Sequence, residues 1–130
     1  MKLLLSCTVA GILALHSAPA RATDLTIKLA GSEAVTRAVV TFNCGPEGPA
    51  LGLPAKPFVV EYLNGAGNSL AIVPVREQSL IFVSVPSASG ARYASGTLIW
   101  WDAGARGVHL SSDLPDAKKQ VSCRKIGGGL

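Results

Sequence analysis

Apolar positions in this chain come in short bursts separated by glycine, proline and polar residues, and no burst repeats convincingly at helical spacing. The bursts are AVVTFNC, ending at Cys44, then FVVEYL (58–63), SLAIVPV (69–75), SLIFVSV (79–85), GTLIWW (96–101), GVHLS (107–111) and KQVSCR (119–124). β-Branched and aromatic side chains suit a pleated surface and are frequent in these windows, while turn formers bound them, so each is predicted to be a β-strand. Between Cys44 and the second burst lies GPEGPALGLPAKP, where glycine and proline recur too densely for regular structure, and a loop is expected. Residues 32–39, SEAVTRAV, are compatible with one turn of helix.

The connections decide how the strands pair. NGAGN (64–68) supplies residues that tolerate positive φ, and REQ (76–78) joins the next two bursts, so consecutive strands are expected to form antiparallel hairpins. Parallel pairing needs crossover segments that the chain lacks. SLAIVPV and SLIFVSV read as neighbours in one meander, with Pro74 marking an edge or a bulge. Seven or eight such strands make an all-β domain, either a sandwich or a closed barrel, and closure would remove exposed strand edges.

The first residues belong to a different pattern. Lys2, an apolar run over residues 3–15 and small residues ending in SAPARATD have the layout of a secretory signal peptide. Cleavage is expected after Ala22, with Ala20 as the competing site, leaving one exported domain over residues 23–130. The apolar run is too short to cross a bilayer, and no later segment is longer. Cys7 in LLSC resembles a lipidated cysteine, but cleavage there would strand most of the apolar run on the mature side, so a cleavable signal and a periplasmic location are expected instead. Signal removal leaves Cys44 and Cys123, and two cysteines in an oxidising compartment are expected to be joined.

Composition narrows the chemistry further. Of 12 Lys and Arg, Lys2 and Arg21 leave with the signal while all 8 Asp and Glu stay, so the mature balance is 10 minus 8, or +2. That is too weak for nucleic-acid binding, and the one local cluster, Lys118, Lys119, Arg124 and Lys125, reads as a solvated tail. His109 has no nucleophile or second ligand at metal-binding spacing, and no carboxylate pair or phosphate-cradling glycine motif occurs, so neither catalysis nor a metal or other cofactor is expected. Trp100 and Trp101 must face opposite ways on a strand, and an outward indole would stack on a sugar or pack against a partner. A wall-glycan binding module is therefore one function class the sequence allows. An unpaired barrel edge or an exposed indole would also support self-association. Residues 87–96, SASGARYASG, connect two strands and carry little bulk, so they can enter a narrow cleft with a serine hydroxyl and one tyrosine.

SASGARYASG followed by IWWDAG resembles the membrane-bound and periplasmic bacterial inhibitors of c-type lysozyme, the MliC/PliC family, and YLNGAGNSLAIVPV is similar to the strand and turn that precede this motif there. The likeness runs from about Cys44 to Cys123. Its most specific element is the family's S-G-x-x-Y, present as Ser89, Gly90, Ala91, Arg92 and Tyr93. The resemblance implies an eight-stranded antiparallel barrel with a disulfide from an early strand to the last one, and a binding protein with no catalytic residues. It further implies that the S-G-x-x-Y loop inserts into the lysozyme cleft, protecting peptidoglycan by displacing the sugar chain. The contact residues so implied are Ser89, Gly90, Arg92 and Tyr93, with Trp101, Asp102 and Gly104 beside them. The second family motif, Y-x-x-x-T-K-G, falls on Leu98 to Gly104 and keeps only Gly104 of its specified positions. The missing lysine removes a cation that would face a cleft carboxylate, and Asp102 would repel it; Arg92 and Arg106 are the candidate replacements. A mature charge of +2 gives no long-range attraction to a basic lysozyme, so binding must rest on local complementarity.

Overall fold

A computed structural model describes residues 22–115 and 120–129; the expected signal up to residue 21, Cys7, Lys118 and Lys119 lie outside the described residues. Eight strands follow in order: β1 (Thr36–Asn43), β2 (Phe58–Gly65), β3 (Asn68–Val75), β4 (Gln78–Val85), β5 (Ala91–Ser95), β6 (Leu98–Asp102), β7 (Val108–Ser112) and β8 (Gln120–Gly129). Each is antiparallel to the next, and β8 returns to pair with β1, so the sheet closes into a barrel.

Two tight turns set the register. Gly65 opposes Asn68, leaving Ala66 and Gly67 at φ 49° and 72°; Val75 opposes Gln78, leaving Arg76 and Glu77 at φ 50° and 63°. Both central residues with positive φ match the right-handed twist of the flanking strands, which is why two-residue hairpins favour this geometry. Pro74 opposes Ser79 on β4, in regular register, but β3 has already left β2 beyond Ile72, so the missing N–H falls on an unpaired side.

The alternation of side chains puts Phe42, Val60, Ala71, Val73, Phe82, Tyr93, Trp100, Leu110 and Val121 inside. Eight strands enclose a space that side chains just fill, and Trp100 is the largest fully buried one. Its ring meets Phe42 edge-on at 5.1 Å, and its indole N–H donates to the Tyr62 hydroxyl at 2.8 Å. Burial pushes the Tyr62 phenol above its ordinary pKa, so it remains a neutral acceptor. Trp100→Phe is expected to lower the unfolding free energy by about 1–3 kcal/mol, from a lost hydrogen bond and a partial void. Tyr62→Phe on that background should add little, because its partner is already gone; urea denaturation of both variants checks this.

Four expectations are corrected. Residues 45–51 are not irregular: Gly45–Leu51 forms a 3-10 helix, started by the fixed φ of Pro46 and stopped by Gly52 at φ 86°, and it lays Leu51 and Leu53 on the core. Residues 32–39 form no helical turn, because Thr36 onwards is recruited into β1 by pairing with β2. β8 does not stop at Arg124 but continues to Gly129 along β1, so Arg124 and Lys125 are strand residues, not a solvated tail. Finally, residues 91–95 are a strand that the pattern did not reveal. Cys44 and Cys123 are bonded, as expected, joining the end of β1 to the middle of β8.

Candidate functional site

The strand β5 splits the segment 87–96 and changes where its side chains point. Tyr93 opposes Trp100, shares its inward face and is only 6% exposed, with its ring 5.8 Å from that of Tyr62. Pairing of β5 with β6 thus turns the Tyr93 ring into the barrel, the folded-back position that serves as the alternative to a ring projecting with the loop. What remains outside is a short connection, residues 86–90.

Outward side chains of β5 to β8 form two cross-strand rows. Arg92, Trp101, His109 and Ser122 stand directly opposite one another in one row; Ala94, Ile99, Ser111 and Gln120 form the next. With residues 86–89 folded along one side, Arg92, Trp101 and His109 of the first row and Ile99, Ser111 and Gln120 of the second floor an open trough of about 500 Å³. Of the adjacent tryptophans, Trp100 is inside and Trp101 is half-buried in this wall, as strand geometry requires.

Ser89 is exposed and held at three points. Its carbonyl accepts from the Trp101 indole N–H at 3.0 Å and from the Ser87 hydroxyl at 2.6 Å, while its own hydroxyl accepts from the Arg106 guanidinium at 2.6 Å. Gly90 follows at φ +69°, a left-handed conformation, and a Cβ there would fall far inside van der Waals contact with the Asp102 carbonyl oxygen. Only glycine lets the connection lie this close to the end of β6. The sequence motif thus has a local cause: serine supplies the anchored hydroxyl and glycine the close approach.

The facing turn is also built. Asp102 Oδ1 accepts from the Gly104 N–H at 3.0 Å, a short 3-10 turn spans Gly104–Arg106, and Gly104 itself sits at φ 65°. Asp102 Oδ2 pairs with Lys125 Nζ at 2.7 Å. The negative charge expected to repel a carboxylate is therefore offset by a cation from β8, which the reading of Lys125 as a tail residue had missed. Arg106 lays its guanidinium carbon 4.9 Å from the centroid of the Trp101 ring. A sugar stacking on that indole face would have to displace it.

His109 completes the support. Its Nε2 lies 3.0 Å from the Arg106 carbonyl, an acceptor, so Nε2 donates, and Nδ1 lies 3.2 Å from the Ser122 hydroxyl. A histidine that sequence reasoning set aside as a strand residue thus holds the turn that presents Arg106. Strand alternation alone did not signal this, because the partners come from β8 and from the 104–106 turn. Ser89, Gly90, Trp101, Asp102 and Gly104 converge on this corner, Arg92 lies on the adjoining wall, and Tyr93 lies beneath. Among the described residues no group of His, Cys, Asp or Glu is arranged to hold a metal ion.

Comparison with known proteins gives three findings. Residues 54–110 match the family described as "Membrane-bound lysozyme-inhibitor of c-type lysozyme", MliC. Curated relatives named membrane-bound lysozyme inhibitor of C-type lysozyme occur in Pseudomonas aeruginosa, 58% identical over 48 residues (36% of this chain, 38% of that protein), and in Cupriavidus necator, 40% identical over 53 residues (41% and 42%). The matched stretches thus span about two-fifths of those relatives. In the solved structure of P. aeruginosa MliC in complex with hen egg white lysozyme, the inhibitor is 33% identical, with a TM-score of 0.61 over 81% of this chain and 98% of that one.

Proposed function

We infer the function from one premise, that this chain belongs to the MliC/PliC family of bacterial c-type lysozyme inhibitors and is a binding protein, not an enzyme. It inhibits a c-type lysozyme by placing the Ser89–Gly90 corner in the active-site cleft, where it takes the space of the sugar chain. The observation that carries this reading is the exposed Ser89, fastened by Trp101, Ser87 and Arg106 and bent toward the end of β6 by Gly90. A group already fixed in its bound position loses little conformational freedom on binding. Lysozyme works with one protonated and one ionised carboxyl, and a serine hydroxyl can hydrogen-bond to either.

The remaining residues have graded roles. Arg92 and Trp101 flank the corner, Asp102 and Gly104 shape the adjoining turn, and Tyr93 supports the corner from inside the barrel. Inhibition of this kind is competitive: the concentration of inhibitor needed to halve lysis of a cell-wall suspension should rise in proportion to added chitotriose. Inhibition indifferent to the oligosaccharide would place the contact outside the cleft. Retention of the chain on purified peptidoglycan without lysozyme, lost in Trp101→Ala, would favour the glycan-binding reading instead.

Two smaller effects follow. His109→Ala removes the anchor of the Arg106 carbonyl and should weaken lysozyme binding about two- to tenfold, by calorimetric titration, as expected for one neutral hydrogen bond. The chain acts in the bacterial envelope, exported by the cleavable signal over residues 1–22. On cell fractionation the protein should appear in the soluble periplasmic fraction whether or not Cys7 is changed to alanine. Membrane retention abolished by Cys7→Ala would establish lipid anchoring instead.

A further inference from the structure

We propose that Arg106 is a direct specificity determinant, the cation that meets an ionised carboxylate of the lysozyme cleft. The inference rests on the proposed insertion of the Ser89–Gly90 corner.

Three observations converge on this residue. First, its guanidinium donates to the very hydroxyl that leads into the cleft, with Nη2 2.6 Å from Ser89 Oγ. A carboxylate that accepts from Ser89 therefore arrives beside a guanidinium with further N–H groups to give. Second, the side chain is ordered before any partner arrives, lying on the Trp101 indole at 4.9 Å while the backbone carbonyl is tied to His109. The entropy of a long, rotamer-rich chain is thus largely lost already in the free protein, and capture of an anion does not add that cost. Third, no carboxylate among the described residues lies within ion-pair distance of it, whereas Arg37 and Lys125 have Glu61 and Asp102. An exposed, immobilised cation without an anion is matched to a negative group from outside.

Position explains how the replacement arose in this fold. The second motif's lysine position holds Ala103, nearly buried, whose N–H bonds to the Gly107 carbonyl at 2.9 Å. Arg106 stands three residues further along the same turn, and the longer side chain folds back over Trp101 to reach Ser89. Arg92, the other candidate, lies opposite Trp101 on the barrel wall and makes no hydrogen bond to Ser89. The Arg106–Ser89 pair has a chemical consequence as well. With its oxygen occupied as an acceptor, the hydroxyl keeps its proton for donation, so both groups present N–H or O–H and favour an ionised carboxylate over a neutral carboxyl.

The test titrates the exported protein and its Arg106→Gln and Arg106→Lys variants into hen egg white lysozyme. The same titrations are run against a lysozyme whose ionised catalytic carboxylate is replaced by the amide. Arg106→Gln should weaken binding to the unmodified enzyme about ten- to hundredfold, lower its sensitivity to salt, and cost far less against the amide form. Arg106→Lys should recover part of the loss. An equal loss against both enzymes with unchanged salt sensitivity would make Arg106 only a support for the loop, and wild-type affinity in Arg106→Gln would remove any role; either overturns the inference while leaving cleft insertion standing. Failure of the unaltered protein to bind lysozyme at all would overturn both.

Discussion

Gly90→Ala is expected to weaken inhibition of hen egg white lysozyme about thirty- to hundredfold while leaving the barrel folded. Gly90 has φ +69°, where a side chain is strained whatever the space around it, and here the added carbon also meets the backbone of Asp102. A backbone oxygen cannot swing aside as a side chain can, so the connection itself must move. Displacing it breaks the bonds from Trp101 and Arg106 to Ser89 and withdraws the hydroxyl from its position. A cost of about 2–3 kcal/mol, within the range for one strained residue, corresponds to that loss in affinity. The strands themselves do not depend on the connection, so once it has moved only about 1 kcal/mol of folding stability is lost and the melting temperature should fall by about 5 °C. Lysis assays and thermal denaturation on one preparation separate the two effects. Full inhibition by Gly90→Ala would show that the close approach to β6 is not what presents Ser89.

The second large effect concerns persistence rather than recognition. Replacing both Cys44 and Cys123 by serine is expected to reduce stability by about 4 kcal/mol, a large part of the roughly 5–15 kcal/mol typical of a domain. The bridge closes a loop with a sequence separation of 79, and a longer loop takes more conformational freedom from the unfolded chain. Because the effect falls mainly on the unfolded state, lysozyme affinity measured well below the melting temperature should stay within a few-fold of wild type. Chemical denaturation gives the first quantity and calorimetry the second. A stable, unbridged variant that no longer binds would mean that the bridge shapes the site instead.

Much of this fold was legible because its connections are short. Ala66–Gly67 and Arg76–Glu77 can only reverse the chain, and once the hairpins are set the strand order follows. Closure was legible only through the family resemblance, since barrel and sandwich share the same alternation and differ only in whether the last strand meets the first. β5 was missed because Ala91, Ala94 and Ser95 have little strand propensity; cross-strand pairing with β4 and β6 recruits them. The glycines of GPEGPALG concealed a 3-10 helix, held by the core burial of its Leu51 and of Leu53 just beyond it, and not by local preference.

For the candidate site, sequence motifs nominated Ser89 and Gly90 but did not show what holds them. Arg106 reaches the corner from the 104–106 turn and His109 holds that turn from β7, while Lys125 reaches Asp102 from β8. Motif spacing pairs Tyr93 with Ser89, while strand alternation sends its ring inward. Spacing along a chain does not report direction until the pairing of the strand is known.

The most direct measurement is a crystal structure of the protein bound to hen egg white lysozyme. It should place the Ser89 hydroxyl within about 3 Å of a catalytic carboxylate, with the sugar-binding groove closed by residues 86–90. A complex in which that connection faces solvent and the groove stays open would contradict the account.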